Sequence, residues 1–186
     1  MAVGSWPETF VAKQMVVTDG TQYVRLGGKG PAVVLLHGFG DTGDMWVPLA
    51  DALVKDHAAV VPDLRGMGLS SHPEGGYEKV AQAPDLAAIL DQLGFQHVAV
   101  VTHDIGNMVG YAFAALFPQR ATKWVAMDAP LPGIGRSASS TDRVTVRRLP
   151  SVRSCRLGET HSSTPRAHPG APCLQGEVLT SARPSL

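Results

Sequence analysis

Asp104 is the side chain in this sequence best placed to do chemistry. It stands in the short stretch His103-Asp104-Ile105-Gly106-Asn107, between two apolar segments of different periodicity. Before it, His97–Thr102 is a Val-rich run of the kind that forms a strand buried on both faces of a parallel sheet. After it, Met108, Val109, Ala112, Phe113, Leu116 and Phe117 recur at helical spacing until Pro118. A strand turns into a helix within so few residues only if the backbone is strained at the apex and its neighbours are small. Such a nucleophile elbow holds one side chain free at the carboxyl end of a strand. Gly106 and Gly110 provide the small neighbours, while Thr102 stands where glycine is usual. An Asp before a helix is also an ordinary N-cap, so the elbow reading rests on the rest of the chain.

A carboxylate suits one particular reaction. With an ordinary pKa near ~4 it is ionised at neutral pH and attacks carbon without a general base. The product is an ester to the enzyme. Releasing it takes water, a His oriented by an acid, and two N–H donors for the oxyanion. His37-Gly38-Phe39-Gly40 follows an apolar strand, and its glycines let substrate approach the backbone. The amides of Phe39 and Ile105 are the candidate oxyanion donors. With no Ser at the apex, a serine hydrolase is disfavoured. Gly27-Gly28-Lys29-Gly30 precedes a strand instead of following one, which argues against a dinucleotide site.

The elements that must position these groups follow from the pattern. Phe10–Val17 and Gln22–Leu26 read as a hairpin around Thr18-Asp19-Gly20-Thr21. Buried strands are predicted at Ala32–Leu36, Ala58–Val61 and, as the last strand, Lys123–Met127, with helices around Trp46–Leu53 and Pro84–Leu93. A hairpin followed by alternating strands and helices predicts a doubly wound α/β sheet, mostly parallel. Ligands in such sheets bind at the carboxyl ends of the strands. That rule selects the loops His37–Asp44, Asp63–His72, the elbow, and Asp128–Gly135.

Composition separates the 186 residues into two parts. Residues 1–135 hold 8 Lys+Arg and 13 Asp+Glu, a net of −5. Residues 136–186 hold 8 Arg and 3 acids, a net of +5, and contain no Trp, Tyr, Phe, Met, Ile, Lys or Asn. A segment of that composition buries too little apolar surface to offset its ordering entropy. The expectation is a folded unit at 1–135 and an Arg/Ser/Pro-rich, disordered tail at 136–186. Arginine without lysine is also what GC-rich coding sequence read out of phase looks like. Overall the net charge is zero, so nothing suggests nucleic acid, and no apolar run is long enough to span a membrane. The N-terminus lacks a signal-peptide pattern, so a cytoplasmic location is expected. Cys155 and Cys173 suggest neither a disulfide framework nor a metal site.

HGFGDTGDMW, DLRGMGLSSHP, VTHDIGNMVGYAFAALFP and MDAPLPGIG together resemble the α/β-hydrolase fold over roughly residues 8–135. Within it they are similar to the epoxide hydrolase and haloalkane dehalogenase branch, most closely the epoxide hydrolases. The resemblance implies that Asp104 is the nucleophile and that the backbone of Phe39 and Ile105 forms the oxyanion hole. His37, Gly38 and His103 would shape the site wall, and Trp46 would pack in the core. Asp128 follows a strand where some dehalogenase relatives carry the orienting acid. The implied substrate is a small apolar molecule, with no cofactor, no metal and no nucleic-acid or membrane partner. Ile105 stands where dehalogenases often place a halide-holding Trp, which favours epoxides over halides. The resemblance stops near Gly135, before the family's lid and final strands. No tyrosine follows Tyr111, and neither His161 nor His168 follows a strand, so neither inherits the base role. The alternatives to an epoxide hydrolase of impaired turnover are therefore a dehalogenase of the same fold and a non-catalytic truncated product.

Overall fold

Short runs of Val, Ala and Leu dominate the middle of the molecule because they lie in a sheet covered on both faces. The computed structural model describes residues 6–128, together with the backbone of strands 144–148 and 178–179. The chain begins with the hairpin β1 (Phe10–Val17) and β2 (Gly20–Gly27), in register Val17↔Gly20 across a two-residue turn. Then come β3 (Ala32–Leu36), a 3-10 turn (Gly43–Trp46), α1 (Val47–Leu53), β4 (Ala58–Pro62) and α2 (Lys79–Gln92). β5 (Val98–His103), α3 (Ile105–Leu116), β6 (Ala121–Met127), β7 (Val144–Arg148) and β8 (Val178–Leu179) complete the order.

The sheet runs β1-β2-β4-β3-β5-β6-β7-β8, with β4, β3, β5 and β6 parallel. Along β3, Ala32, Val34 and Leu36 join the larger core with Leu86, Ile89 and Leu90 of α2 and Phe113 of α3. Val33 and Leu35 face the other way, against Trp46 and Ala50. The chain leaves β3 for β4 on one side and returns to β5 on the other. The carboxyl ends of β3 and β5 therefore border the topological switch, where open α/β sheets bind ligands.

Two expectations are corrected. α2 starts at Lys79 rather than Pro84, which lies inside it. A proline there removes the amide that would bond the carbonyl of Val80. Val80 lies at the surface, and the buried Gln82, Ala83, Asp85 and Leu86 keep the helix in place. Nor does β6 end the sheet. β7 pairs with it antiparallel from Met127↔Val144 to Lys123↔Arg148, and β8 pairs with β7. Backbone pairing needs no aromatic side chains, and Val144-Thr145-Val146 is β-branched sequence. The rest of the 136–186 tail, expected to be disordered and including His161 and His168, lies outside the described residues.

Candidate active site

The turn between β5 and α3 is strained at its apex. Asp104 has φ 48° and ψ −121°, outside the regions that L-residues favour. A Cβ on Gly106 would stand 2.6 Å from the carbonyl oxygen of Leu36 and 2.7 Å from that of His37. Because both are backbone atoms at the end of β3, only glycine lets α3 begin there. A Cβ on Gly110 would stand 2.7 Å from Cγ2 of Thr102, which brings α3 close against β5.

Thr102, the departure from glycine, is the hub of a buried network. Its hydroxyl donates to Oδ1 of Asn107 and accepts a hydrogen bond from Nε1 of Trp124 at 2.8 Å. The Asn107 amide in turn donates to the carbonyl of Met127 at 2.7 Å, and the Asp104 amide donates to the same carbonyl at 3.2 Å. β5, α3 and β6 are thereby tied at the apex. Sequence reasoning missed Asn107 and Trp124 as members of this network. The available signal was a polar side chain on each arm of an otherwise apolar elbow.

Across the switch, the amide of Phe39 donates to Oδ2 of Asp104 at 2.9 Å. That contact holds one carboxylate oxygen, Oδ2, on the backbone of the loop after β3. Ile105 is the first residue of α3, so its amide has no intrahelical acceptor and the positive end of the helix lies beside the carboxylate. A Cβ on Gly38 would stand 3.0 Å from Asp104 Cβ and 3.2 Å from its Oδ2, so glycine is needed for this approach. The Phe39 ring itself is 77% exposed.

The two histidines expected at the site wall, His37 and His103, differ in their surroundings. His37 is fully buried, with Nδ1 2.8 Å from the carbonyl of Gly38 and Nε2 accepting from the Leu64 amide at 2.8 Å. An acceptor at Nε2 puts the proton on Nδ1, and burial pushes its pKa down. It is a neutral brace between the loops after β3 and β4. Asp63 braces the same loops, accepting from the amides of Gly43 at 2.8 Å and Leu69 at 3.0 Å. His103, in contrast, lies beside Gly38 with Nε2 3.9 Å from Oδ2 of Asp128. Trp46 is packed in the core. Lys79, half-buried at the start of α2, was not singled out from the sequence; burial lowers its pKa while the charge of Asp104 raises it.

Among the described residues no group of three His, Cys, Asp or Glu is arranged to hold a metal, and no helix is long and apolar enough to cross a membrane. A cleft of about 250 Å³ bounded by Thr9, Leu26, Ala58 and Phe95 reaches the amino end of β4, the opposite end from Asp104.

Comparison with known proteins bears on this arrangement. A family model described as the alpha/beta hydrolase fold matches residues 31–152. A fluoroacetate dehalogenase from Burkholderia sp is 35% identical over 126 residues, covering 65% of this chain and 41% of that protein. A soluble epoxide hydrolase from Corynebacterium sp. (strain C12) is 37% identical over 87 residues, covering 47% of this chain and 30% of that protein. The crystal structure of an epoxide hydrolase from Vigna radiata superposes with a TM-score of 0.65 at 32% identity, covering 69% of this chain and 41% of that one. The chain thus spans at most 41% of the length of these three relatives.

Proposed function

The chain belongs to the alpha/beta-hydrolase fold family, and from that premise we propose that it hydrolyses a small apolar epoxide through an ester on Asp104. The carrying observation is the strained Asp104 carboxylate with Oδ2 held at 2.9 Å by the Phe39 amide. Oδ1 attacks the less hindered epoxide carbon, the C–O bond breaks, and the alkoxide takes a proton from water. Oδ2 becomes the ester carbonyl oxygen, already seated on one oxyanion donor. When water adds to that carbonyl, the Phe39 and Ile105 amides hold the developing charge. Attack needs no base but ester hydrolysis does, so the lifetime of the ester reports whether a general base serves Asp104.

Dehalogenation is the second reading, favoured by the 35% identity to the fluoroacetate dehalogenase. Ile105 offers a halide no N–H from its side chain, which supports the epoxide reading. One experiment separates the two. Incubation with styrene oxide is expected to add one adduct by intact mass, mapped to the elbow peptide and absent in Asp104→Asn. The amide removes the charge at nearly constant shape. Halide release from fluoroacetate without epoxide labelling would favour the dehalogenase. Labelling only at Cys155 or Cys173 would report the ordinary reactivity of thiols and leave Asp104 unproven as the nucleophile.

A further inference from the structure

We propose that the outer edge of β1 is an interface for a second copy of this chain, added antiparallel about Gln14. β1 ends the sheet, and among the described residues no strand pairs with its outer side. It is 8 residues long, and Val11, Ala12, Lys13, Gln14 and Val16 are exposed, Val11 at 55% and Val16 at 67%. A long edge that carries exposed valines is a template for another strand. The hairpin decides which backbone groups face outward. A two-residue turn closes on a hydrogen-bonded pair, here Val17↔Gly20. Val17, Met15, Lys13 and Val11 therefore turn their amides and carbonyls towards β2, while Val16, Gln14, Ala12 and Phe10 turn theirs away. The observed contacts agree. The Val16 carbonyl accepts from Nε2 of Gln92 at 2.7 Å, and the Phe10 amide donates to the carbonyl of Pro7 at 2.9 Å. On β2, Thr21 and Tyr23, which stand opposite Val16 and Gln14, turn their amides to the hydroxyls of Ser71 and Ser70.

Symmetry and charge then select the register. A twofold axis perpendicular to the sheet keeps every side chain on its own face only where residues of equal parity are opposed. Centred on Gln14, the axis sets Gln14 opposite the partner's Gln14 and Ala12 opposite the partner's Val16. All three residues face outward, so each opposed pair exchanges both of its backbone bonds. The Val16 carbonyl has a second lone pair for this, beside the one that Gln92 uses. Lys13 lies opposite the partner's Met15, and Val11 opposite the partner's Val17. A centre at Lys13 would instead oppose Lys13 to the partner's Lys13, two like charges, which is unfavourable. A centre at Met15 would set Ala12 against the partner's Thr18, which lies beyond the strand with its carbonyl already held by Arg65. The Gln14 register avoids both losses. Such an interface is isologous and closes at a dimer.

The test uses the 186-residue chain in about 0.15 M sodium chloride, where attraction between distant charges is screened. Sedimentation velocity from millimolar to micromolar protein should show a species of twice 19.6 kDa that gives way to monomer on dilution. Ala12→Pro removes one outward N–H from each copy and spares the bonds to β2, since an edge strand tolerates proline on its open side. It should weaken the dimer about tenfold or more while the urea midpoint of the monomer stays in place. The register has its own test, which also stands if Ala12→Pro fails to fold. In a chain carrying Cys155→Ser and Cys173→Ser, Gln14→Cys should form an intermolecular disulfide on mild oxidation. Lys13→Cys should form it far less, because the two copies of residue 13 stand diagonally, about 7–8 Å apart and beyond disulfide reach. In hydrogen exchange the amides of Ala12, Gln14 and Val16 should gain protection as concentration rises. A monomer at every concentration, a dimer indifferent to Ala12→Pro, or equal cross-linking at both positions would overturn the proposal. Protection of those three amides that does not change with concentration would overturn it too, by showing that another segment of the same chain covers the edge.

Discussion

Thr102 shows how one hydroxyl holds the elbow in place of the usual glycine. Its oxygen serves Trp124 Nε1 and Asn107 Oδ1 together, and all three groups are buried. Thr102→Val keeps the shape but leaves the indole N–H and the amide oxygen without partners. Each costs about 1–3 kcal/mol when unsatisfied, so urea unfolding should show a loss of about 2–6 kcal/mol. An unchanged midpoint would mean that the network contributes nothing. His37 makes a pH-dependent contribution. Burial lowers its pKa, so the folded protein resists protonation that the unfolded chain accepts below its ordinary value of about 6.5. The unfolded state then binds more protons, and stability falls as pH drops below that value. In His37→Gln the unfolding midpoint should depend less on pH between about 7.5 and about 5.5, around the ordinary His range.

At the scale of elements, Arg65 ties the loop after β4 to α2 and to the hairpin. Its guanidinium donates to Oδ2 of Asp85 at 2.8 and 3.0 Å and to the carbonyls of Gly75 and Thr18, with both charged side chains buried. Burial raises the pKa of Asp85, and Arg65 works against that rise. The folded state therefore holds the Asp85 proton more tightly than the unfolded state, and this share of stability declines as pH rises above the ordinary carboxylate range. Arg65→Met alone leaves an uncompensated buried carboxylate and should cost about 3–5 kcal/mol. Adding Asp85→Leu should recover much of it, because an apolar pair of similar volume tolerates burial. A double variant as unstable as the single one would contradict this account. The pair was not legible in the sequence, because 20 residues separate its members and no local period links them. β3 to β6 were legible because double-sided burial leaves continuous apolar runs. The elbow was legible because its geometry is local, and the Phe39 donor because glycines flank it. The meeting of His103 with Asp128 needs the parallel register of β5 on β6, which composition does not reveal. The true start of α2 was hidden because a proline reads as a boundary even where packing overrides it.

For the whole molecule, two forces compete to set association, and salt separates them. The net charge of zero combines −5 over residues 1–135 with +5 over residues 136–186. Opposite charge on two parts of one chain lets copies attract one another when screening is weak. Phe39, Leu69, Tyr77 and Val80 are exposed apolar groups in the loops and helix start that follow β3 and β4, on the same edge of the sheet as Asp104. Such exposed apolar groups can drive association. The electrostatic route weakens as the Debye length shrinks from about 30 Å at 0.01 M salt to about 8 Å at 0.15 M. The apolar route does not weaken over that range, and excluded salts such as sulfate strengthen it. Light scattering at neutral pH is therefore expected to report larger particles at low salt that shrink as sodium chloride is added. Phe39→Ser should leave that salt response in place. Particles that grow with sulfate and shrink in Phe39→Ser would instead assign association to these exposed apolar groups.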